Sequence, residues 1–198
     1  MAYGWGSLRS TMWAILCLAA ATVAWSAWRV VDVVTSDAVI APIEPRSGTP
    51  PTPLFGGELA VGNRIDLTVD KADLGRLGGF VEFCRIVEPL AAMTVILAGM
   101  YFAYRFSAEV IRGTPFSKFA SINLIGLAVS VVAYPVIPSI FGLLGTNSVI
   151  GALDLDDFDA HSSAVGYFVA IGIASFIQFV YVLTRQGAKL AEDTDGLV

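Results

Sequence analysis

The 198-residue chain is 56% apolar and 15% charged, with a mean hydropathy of +0.71. Ordinary soluble domains are roughly 45–50% apolar and about 25% charged, so one soluble core cannot hold this apolar excess. The net charge of −5, with no cluster of Lys and Arg, argues against nucleic acid as a direct partner. The composition therefore predicts an integral membrane protein surrounded by membrane lipid.

The first membrane span is predicted within residues 1–34, together with a cytoplasmic N-terminus. No charged residue lies between Arg9 and Arg29, a stretch long enough for the roughly 20-residue helix that a bilayer requires. Trp13 lies near one end and Trp28 near the other, as interfacial anchors do. A cleaved signal peptide is the competing interpretation, and we expect the segment to be retained.

Residues 35–84 are predicted to form a Pro-rich linker and a small β appendage outside the membrane. The prolines of residues 41–53 favour extended backbone over packed structure. Residues 64–69 alternate between polar and apolar, and Gly62-Asn63 is a turn sequence, so residues 57–70 are predicted to form a β-hairpin. A lone hairpin is marginal in water. It must therefore pack either on the outer ends of the helices, which we favour, or on a partner protein.

Three further spans complete the predicted fold. Pro135 and Pro138 predict a kink or a helix end in the third span. The fold class is therefore an all-α integral membrane protein, with four transmembrane helices and a small β-hairpin-containing extracytoplasmic appendage. The remaining segments are transmembrane helix 2 (85–106), a cytoplasmic loop (107–118), transmembrane helix 3 (119–144), an acidic extracytoplasmic loop (145–163), transmembrane helix 4 (164–185) and a cytoplasmic tail (186–198).

The distribution of Lys and Arg predicts the orientation. The loop from Arg105 to Lys118 carries three cations and one acid, the tail adds Arg185 and Lys189, and the loop between spans three and four carries no cation. Both termini are therefore predicted to be cytoplasmic in a bacterial inner membrane. Most of the acidic side chains then face outward.

The loop between spans two and three has clear helix stop and start residues. Gly113 suits the C′ position of one helix, Thr114 can cap the next helix, and Pro115 fits its first turn. This structural role is sufficient to explain the motif. The alternative is a cytoplasmic docking point, for which the candidate residues are Arg112, Gly113, Pro115 and Phe116.

The same motif carries a family resemblance. Gly113, Pro115 and Phe116, together with an acidic tail from Leu190 to Val198, resemble the uncharacterised bacterial four-span membrane family catalogued as domain of unknown function 2975. The resemblance covers residues 83–198. It implies a four-span fold and brings no activity with it, although genes of this kind commonly lie beside small helix-turn-helix regulators.

The spans lack the residues that membrane chemistry needs. Ionisable residues inside a bilayer are costly and usually functional, and here Asp32, Glu88 and Arg105 all lie near span ends. This placement argues against a proton relay, an ion-coupled transporter and an intramembrane protease. The single histidine, His161, excludes a haem held by paired histidines. We therefore expect no catalytic residues, no cofactor and no enzyme activity.

Small and polar residues recur at helical spacing in the last three spans. Such residues allow close helix approach and interhelical hydrogen bonds, and we favour this role over a pore or a lipid-headgroup site. They predict a packed bundle, or a bundle packed on another subunit. The helix-packing or partner-contact candidates are Gly99, Ala103, Gly126, Ser130, Gly166, Ala170, Ala174 and Gln178.

The loop before the fourth span is acidic. Carboxylates grouped in a loop can bind a hard cation such as Ca²⁺, but the EF-hand pattern is absent. We favour a solvated acidic loop that enforces the topology, and predict no metal site. The weak metal candidates are Asp154, Asp156, Asp157 and Asp159.

Two functions remain open. The first is a non-enzymatic accessory or interaction subunit that docks on a larger membrane protein complex or forms a homo-oligomer. The second is a membrane sensor or regulator, which binds a soluble transcription regulator through its cytoplasmic loop and the acidic tail containing Glu192, Asp193 and Asp195.

Overall fold

Four long helices and small β-sheets form the protein. The computed structural model describes residues 5–46, 53–54, 57–58 and 64–195. Each helix is long and apolar enough, by length and composition, to cross a membrane. The helices are α1 (Trp5–Thr35), α2 (Gly78–Ile111), α3 (Lys118–Ala152) and α4 (Ala164–Asp195), and the strands are β1 (Ala38–Pro45), β2 (Pro53–Leu54), β3 (Gly57–Glu58), β4 (Ile65–Asp70) and β5 (Phe158–Ala160).

The helices extend beyond the predicted spans. At 1.5 Å per residue, the 34 residues of α2 and the 35 of α3 each measure roughly 50 Å, against a hydrocarbon core of about 30 Å. Of the two alternatives predicted at Pro135 and Pro138, the helix end is wrong, because α3 continues through both prolines to Ala152, and the kink stays a prediction. Each proline removes one backbone N–H donor, and in apolar surroundings the other backbone groups have no alternative partner outside the helix.

The chain divides into two compact units. The sheet unit contains residues 26–91 and 137–163, and the four-helix unit contains residues 1–25, 92–136 and 164–198. The strands all belong to the sheet unit, with parts of α1, α2 and α3. The four-helix unit contains α4 and the other parts of α1, α2 and α3.

The main sheet has three antiparallel strands in the order β4-β1-β5. Strand β4 lies where alternation predicted a strand, but its partner is β1, which pairs Ile43 with Ile65 and Val39 with Val69. The sequence placed part of β1 in a linker because of its prolines. Proline has no backbone N–H to donate. Pro42 fits the central strand because its carbonyl is the group that bonds here, accepting the N–H of His161 at 3.0 Å.

The short pair β2–β3 forms a separate two-stranded sheet, with Leu54 opposite Gly57. Glu58, at the end of β3, therefore pairs with Pro53 and not with β4. The predicted hairpin of residues 57–70 is wrong in its pairing, since β4 belongs to the three-stranded sheet. The predicted turn Gly62-Asn63 lies outside the described residues.

The buried core of the sheet unit joins the sheet to its helices. Val39, Ala41 and Ile43 alternate along β1 and are all buried. They pack in one cluster with Val81 of α2 and Val149 of α3. The sheet therefore lies on the ends of its own helices, which was the favoured alternative.

Polar contacts add to this core. The ammonium of Lys71 donates to the carbonyl of Val33 at 2.7 Å and to the carboxylate of Glu82 at 3.1 Å, linking α1 to α2. The buried hydroxyl of Ser26 on α1 donates to the carbonyl of Pro89 on α2 at 3.3 Å.

Candidate functional site

The four-helix unit contains an open apolar cavity of about 550 Å³. All four helices contribute to its lining, including Ile15 of α1, Met100 of α2, Val131 of α3 and Ile173 of α4. Five of the predicted packing residues also line it, and these are Gly99, Ala103, Ser130, Gly166 and Ala170. Small side chains leave space here as well as allowing close approach.

Two of the predicted glycines lie at close approaches between α2 and α3. A Cβ on Gly99 would lie 3.3 Å from the Cβ of Ser130, and one on Gly126 would lie 2.7 Å from the ring of Phe102. The hydroxyl of Ser130 donates to the carbonyl of Gly126 at 2.9 Å, within its own helix. The geometry at Gly126 requires a residue without a side chain.

The predicted stripe on α4 does not form one buried face. Ala170 is buried and Ala174 half-buried, whereas Gly166 and Gln178 are exposed. None of the described residues forms a hydrogen bond with the Gln178 amide. On the same face of α4, Ile171 and Val182 are 55% and 43% exposed, and the exposed Ser175 hydroxyl is bonded within the helix to the carbonyl of Ile171. The Gln178 amide thus lies on a helix face with exposed apolar side chains on both sides of it.

A Schellman turn ends α2. Gly113 has a φ of +76°, its N–H donates to the carbonyl of Val110 at 3.1 Å, and the N–H of Thr114 donates to the carbonyl of Glu109 at 3.0 Å. This is the pattern of a helix end with glycine at C′. The positive φ explains why the sequence has glycine at this position.

The prediction that Thr114 caps α3 is wrong. The hydroxyl of Ser117 accepts the N–H of Ala120 at 3.1 Å, so Ser117 is the N-cap. The Thr114 hydroxyl instead donates to the Glu109 carboxylate at 3.0 Å. Pro115 consequently lies in the turn before α3 and not in its first helical turn.

Sequence reasoning missed the residue that organises this turn. The Glu109 side chain is buried, and its carboxylate also accepts hydrogen bonds from Ser117 at 3.3 Å and Arg112 at 3.2 Å. An acid in the last turn of a helix is electrostatically unfavourable, because the helix C-terminus is itself negative. The sequence signal for Glu109 is therefore an acid in the last turn of a helix that is followed by hydroxyl residues.

Among the docking candidates, Arg112 and Phe116 are both exposed. A Cβ on Gly187 would lie 2.7 Å from the ring of Phe116, so this ring also lies against α4. The turn between α2 and α3 is therefore fixed at two places, by Glu109 and by the contact of Phe116 with Gly187.

Side chains of the acidic loop contact residues at the end of β1 and directly after it. The Arg46 guanidinium donates to the Asp159 carboxylate through Nη2 at 2.8 Å and Nε at 3.2 Å. These hydrogen bonds lower the pKa of Asp159 and raise that of Arg46. Nδ1 of His161 lies 2.7 Å from the Glu44 carboxylate.

The structure does not gather the four weak metal candidates around one point. Asp159 is engaged by Arg46, and Asp154 adopts a turn with φ of +52°. Within the described residues, no three His, Cys, Asp or Glu side chains form a group that could hold a metal ion. The paired acids therefore hold β5 on β1.

A half-buried arginine, Arg85, lies inside the sheet unit. Nη2 of Arg85 donates to the hydroxyl of Thr146 at 2.9 Å, and Nη1 donates to the Glu88 carboxylate at 3.2 Å. Nε is buried and has no hydrogen-bond partner within the described residues. Gly145 and Gly142 lie beside this cluster, where a Cβ would come within 3.2 Å of Cys84 and Glu88 respectively.

Comparisons with protein-family models, curated proteins and solved structures found no match to this chain. The resemblance of residues 83–198 to the four-span family therefore stays a prediction.

Proposed function

We propose that the protein is a non-enzymatic integral membrane subunit that docks on a larger membrane protein complex through α4. The observation that carries this proposal is the exposed amide of Gln178, on a helix face that also exposes Ile171 and Val182. A second copy of the chain is the other partner that this surface would accept.

The physical argument concerns hydrogen bonding in lipid. Acyl chains supply no donor or acceptor, so an amide facing them stays unpaired. A neighbouring transmembrane helix can satisfy it, and interhelical hydrogen bonds contribute about 0.6 kcal/mol on average and up to about 1.7 kcal/mol. Gln178 is therefore the first position to test for contact with a partner helix.

The sheet unit supports the proposal through its charge. Residues 36–77 and 153–163 contain ten Asp and Glu against four Lys and Arg. Three of those cations, Arg46, Arg64 and Lys71, form ion pairs within the sheet unit. The remaining acidic surface suits a partner with basic residues at the same membrane face, because complementary charge orients docking.

Localisation is part of the same proposal. We propose that the chain spans a bacterial inner membrane through its four apolar helices, with both termini in the cytoplasm and the strands outside. The cation-rich loop between α2 and α3 supports this orientation. Single-cysteine variants in the two loops, labelled with an impermeant reagent on whole cells, test it directly.

Crosslinking tests the docking proposal. The full chain is purified from native membranes in mild detergent after crosslinking, and Gln178→Leu is compared with the wild type. The wild type should retain a partner at fixed stoichiometry, and the variant should retain about threefold less, from the average hydrogen-bond energy above.

Ser175→Ala is the matched control, since the Ser175 hydroxyl already donates to the carbonyl of Ile171 at 2.8 Å and its loss costs no partner contact. Equal recovery of the partner with all three chains would remove Gln178 from the interface. A monodisperse single chain from crosslinked wild-type membranes would overturn the subunit proposal itself.

The sensor function is retained as a second proposal, on one observation. Helix α4 continues to Asp195, past Gly187, where its apolar stretch ends. Helical backbone at this end can present the acids of the tail to a basic soluble regulator. Deletion of residues 190–198 should change transcription of neighbouring genes, and unchanged transcription would overturn this proposal.

A further inference from the structure

Three cavities of the four-helix unit share lining residues along α1 and α2. The apolar cavity of about 550 Å³ shares Ile15 and Met100 with a smaller cavity of about 210 Å³. The smaller cavity shares Leu16 and Tyr104 with a third cavity of about 580 Å³. The three therefore follow one another as a groove, which we call the α1–α2 groove.

The chemistry of the lining changes along this groove. Apart from Ser130, the described residues that line the first two cavities are apolar or aromatic. The third cavity is lined by Trp13, Tyr104 and Arg112, together with Met12, Leu16, Ala108 and Ile111. An apolar channel that ends at a Trp, a Tyr and an Arg has the polarity of a phospholipid, with acyl chains followed by a phosphate.

Arg112 is held at this end by its own turn. One guanidinium nitrogen donates to Glu109 at 3.2 Å, while the other oxygen of the Glu109 carboxylate accepts from Thr114 and Ser117. The Arg112 side chain is 67% exposed. A guanidinium has five N–H donors in a planar fork that matches phosphate, so Arg112 can bind Glu109 and a phosphate together.

We propose that the α1–α2 groove binds one phospholipid with an anionic headgroup, its phosphate on Arg112 between Trp13 and Tyr104 and its acyl chains in the two apolar cavities. The argument for an anionic headgroup is charge complementarity. Among the described residues that line the groove, Arg112 is the one that carries a charge, and the carboxylate beside it is buried and already bonded. A zwitterionic headgroup would bring its own cation to the same phosphate.

Binding of matched lipids tests the proposal. The full chain in mild detergent is titrated with phosphatidylglycerol and with phosphatidylcholine of identical acyl chains, and bound lipids are counted by native mass spectrometry. We expect one phosphatidylglycerol per chain, bound at least about fivefold more tightly than phosphatidylcholine. One Lys or Arg near an anionic lipid surface contributes roughly that factor.

Arg112→Gln should weaken phosphatidylglycerol about fivefold and leave phosphatidylcholine unchanged. Arg185→Gln removes one cation from α4, outside the lining of the groove, and is the matched control that should change neither. Ala19→Trp fills the apolar middle of the groove, far in sequence from the turn, and should abolish retention of both lipids.

Equal affinity of the wild type for the two lipids would overturn the anionic site, as would equal losses in Arg112→Gln and Arg185→Gln. Unchanged lipid retention by a folded Ala19→Trp variant, with the helical circular dichroism of the wild type, would overturn the groove as the binding place. The inference rests on the proposed membrane insertion. Failure of the lipid site can be distinguished from failure of membrane insertion, because a chain that lacks the lipid site would still sediment with membranes after carbonate washing.

Discussion

The guanidinium of Arg46 and the carboxylate of Asp159 connect two distant parts of the chain, with Nη2 2.8 Å from Oδ1. Arg46 follows the last residue of β1, and Asp159 is the middle residue of β5. Glu44 of β1 and His161, the residue after β5, form a second polar contact, with Nδ1 of His161 2.7 Å from the Glu44 carboxylate. These side chains therefore add to the backbone pairing of the three-residue strand β5 with β1.

The Arg46–Asp159 pair predicts that the docking of β5 depends on pH. Since Arg46 lowers the pKa of Asp159, the ionised carboxylate stabilises the folded state at pH above the unfolded pKa of about 3.9. This contribution disappears as the pH falls through the lower, folded pKa. Amide hydrogen exchange of β5 residues in detergent, from pH 3 to pH 7, should show protection that falls at the acid end.

Asp159→Asn should remove that part of the pH dependence. Asp154→Asn is the control, because Asp154 is exposed in the same loop and, within the described residues, is not among the carboxylates that act on Arg46. An acid loss of protection that is identical in the wild type and in Asp159→Asn would contradict the assignment.

Gly126 is predicted to be intolerant of any side chain. A Cβ would lie 2.7 Å from the ring of Phe102, so Gly126→Ala forces the ring or the helices to move. Overpacking of this kind costs about 1–3 kcal/mol of unfolding free energy. Steric-trap unfolding in micelles should measure that loss, and adding Phe102→Leu should restore part of it.

Gly172→Ala is the matched control, since among the described residues no other part of the chain lies within 4 Å of the Cβ that it adds on α4. Equal stability of Gly126→Ala and Gly172→Ala would show that α2 and α3 are not in close contact at this point.

The long helices could be predicted from the sequence, while β1 and the turn around Glu109 could not. A long apolar run is a direct signal of a helix surrounded by lipid, and it can be identified from consecutive residues alone. Strand β1 owes its structure to β4 and to β5, which follow it at increasing distances along the chain. Its prolines indicated a linker, and only the pairing of Pro42 with His161 explains why a proline fits there.

The candidate site could be predicted only in part, for a related reason. Small residues at helical spacing identified Gly99, Ser130 and Gly126, which lie at the approach of α2 to α3. The same pattern cannot tell a buried face from an exposed one, and it included Gln178, which is exposed. Glu109 was missed because its partners come from the turn that follows, whose conformation the sequence alone did not specify.

Ser117 is predicted to contribute to helix initiation as the N-cap of α3. Ser117→Ala removes the hydroxyl that accepts the Ala120 N–H, and loss of such a cap costs about 0.5–2 kcal/mol. Exchange of the Ala120 amide should become faster in Ser117→Ala. Thr114→Ala should leave that amide protected, because Thr114 bonds Glu109 and not α3. If the Ala120 amide exchanged faster in Thr114→Ala but not in Ser117→Ala, Thr114 would be the N-cap of α3.

Thr146 is predicted to stabilise the sheet unit through the half-buried Arg85. Its side chain is fully buried, and its hydroxyl accepts from Nη2 of Arg85 at 2.9 Å. Thr146→Val keeps the shape of the side chain and removes the acceptor, leaving a charged donor unpaired beside the already unpaired Nε. Burial of an unsatisfied donor costs about 1–3 kcal/mol, and more when the donor is charged.

Thermal unfolding in detergent should therefore show a lower midpoint for Thr146→Val than for the wild type. Ser148→Ala is the control on the same helix, because the exposed Ser148 hydroxyl donates to the carbonyl of Leu144 and binds nothing outside α3. If both variants unfold at the wild-type midpoint, the guanidinium of Arg85 has another acceptor, and the hydrogen bond to Thr146 contributes no net stability.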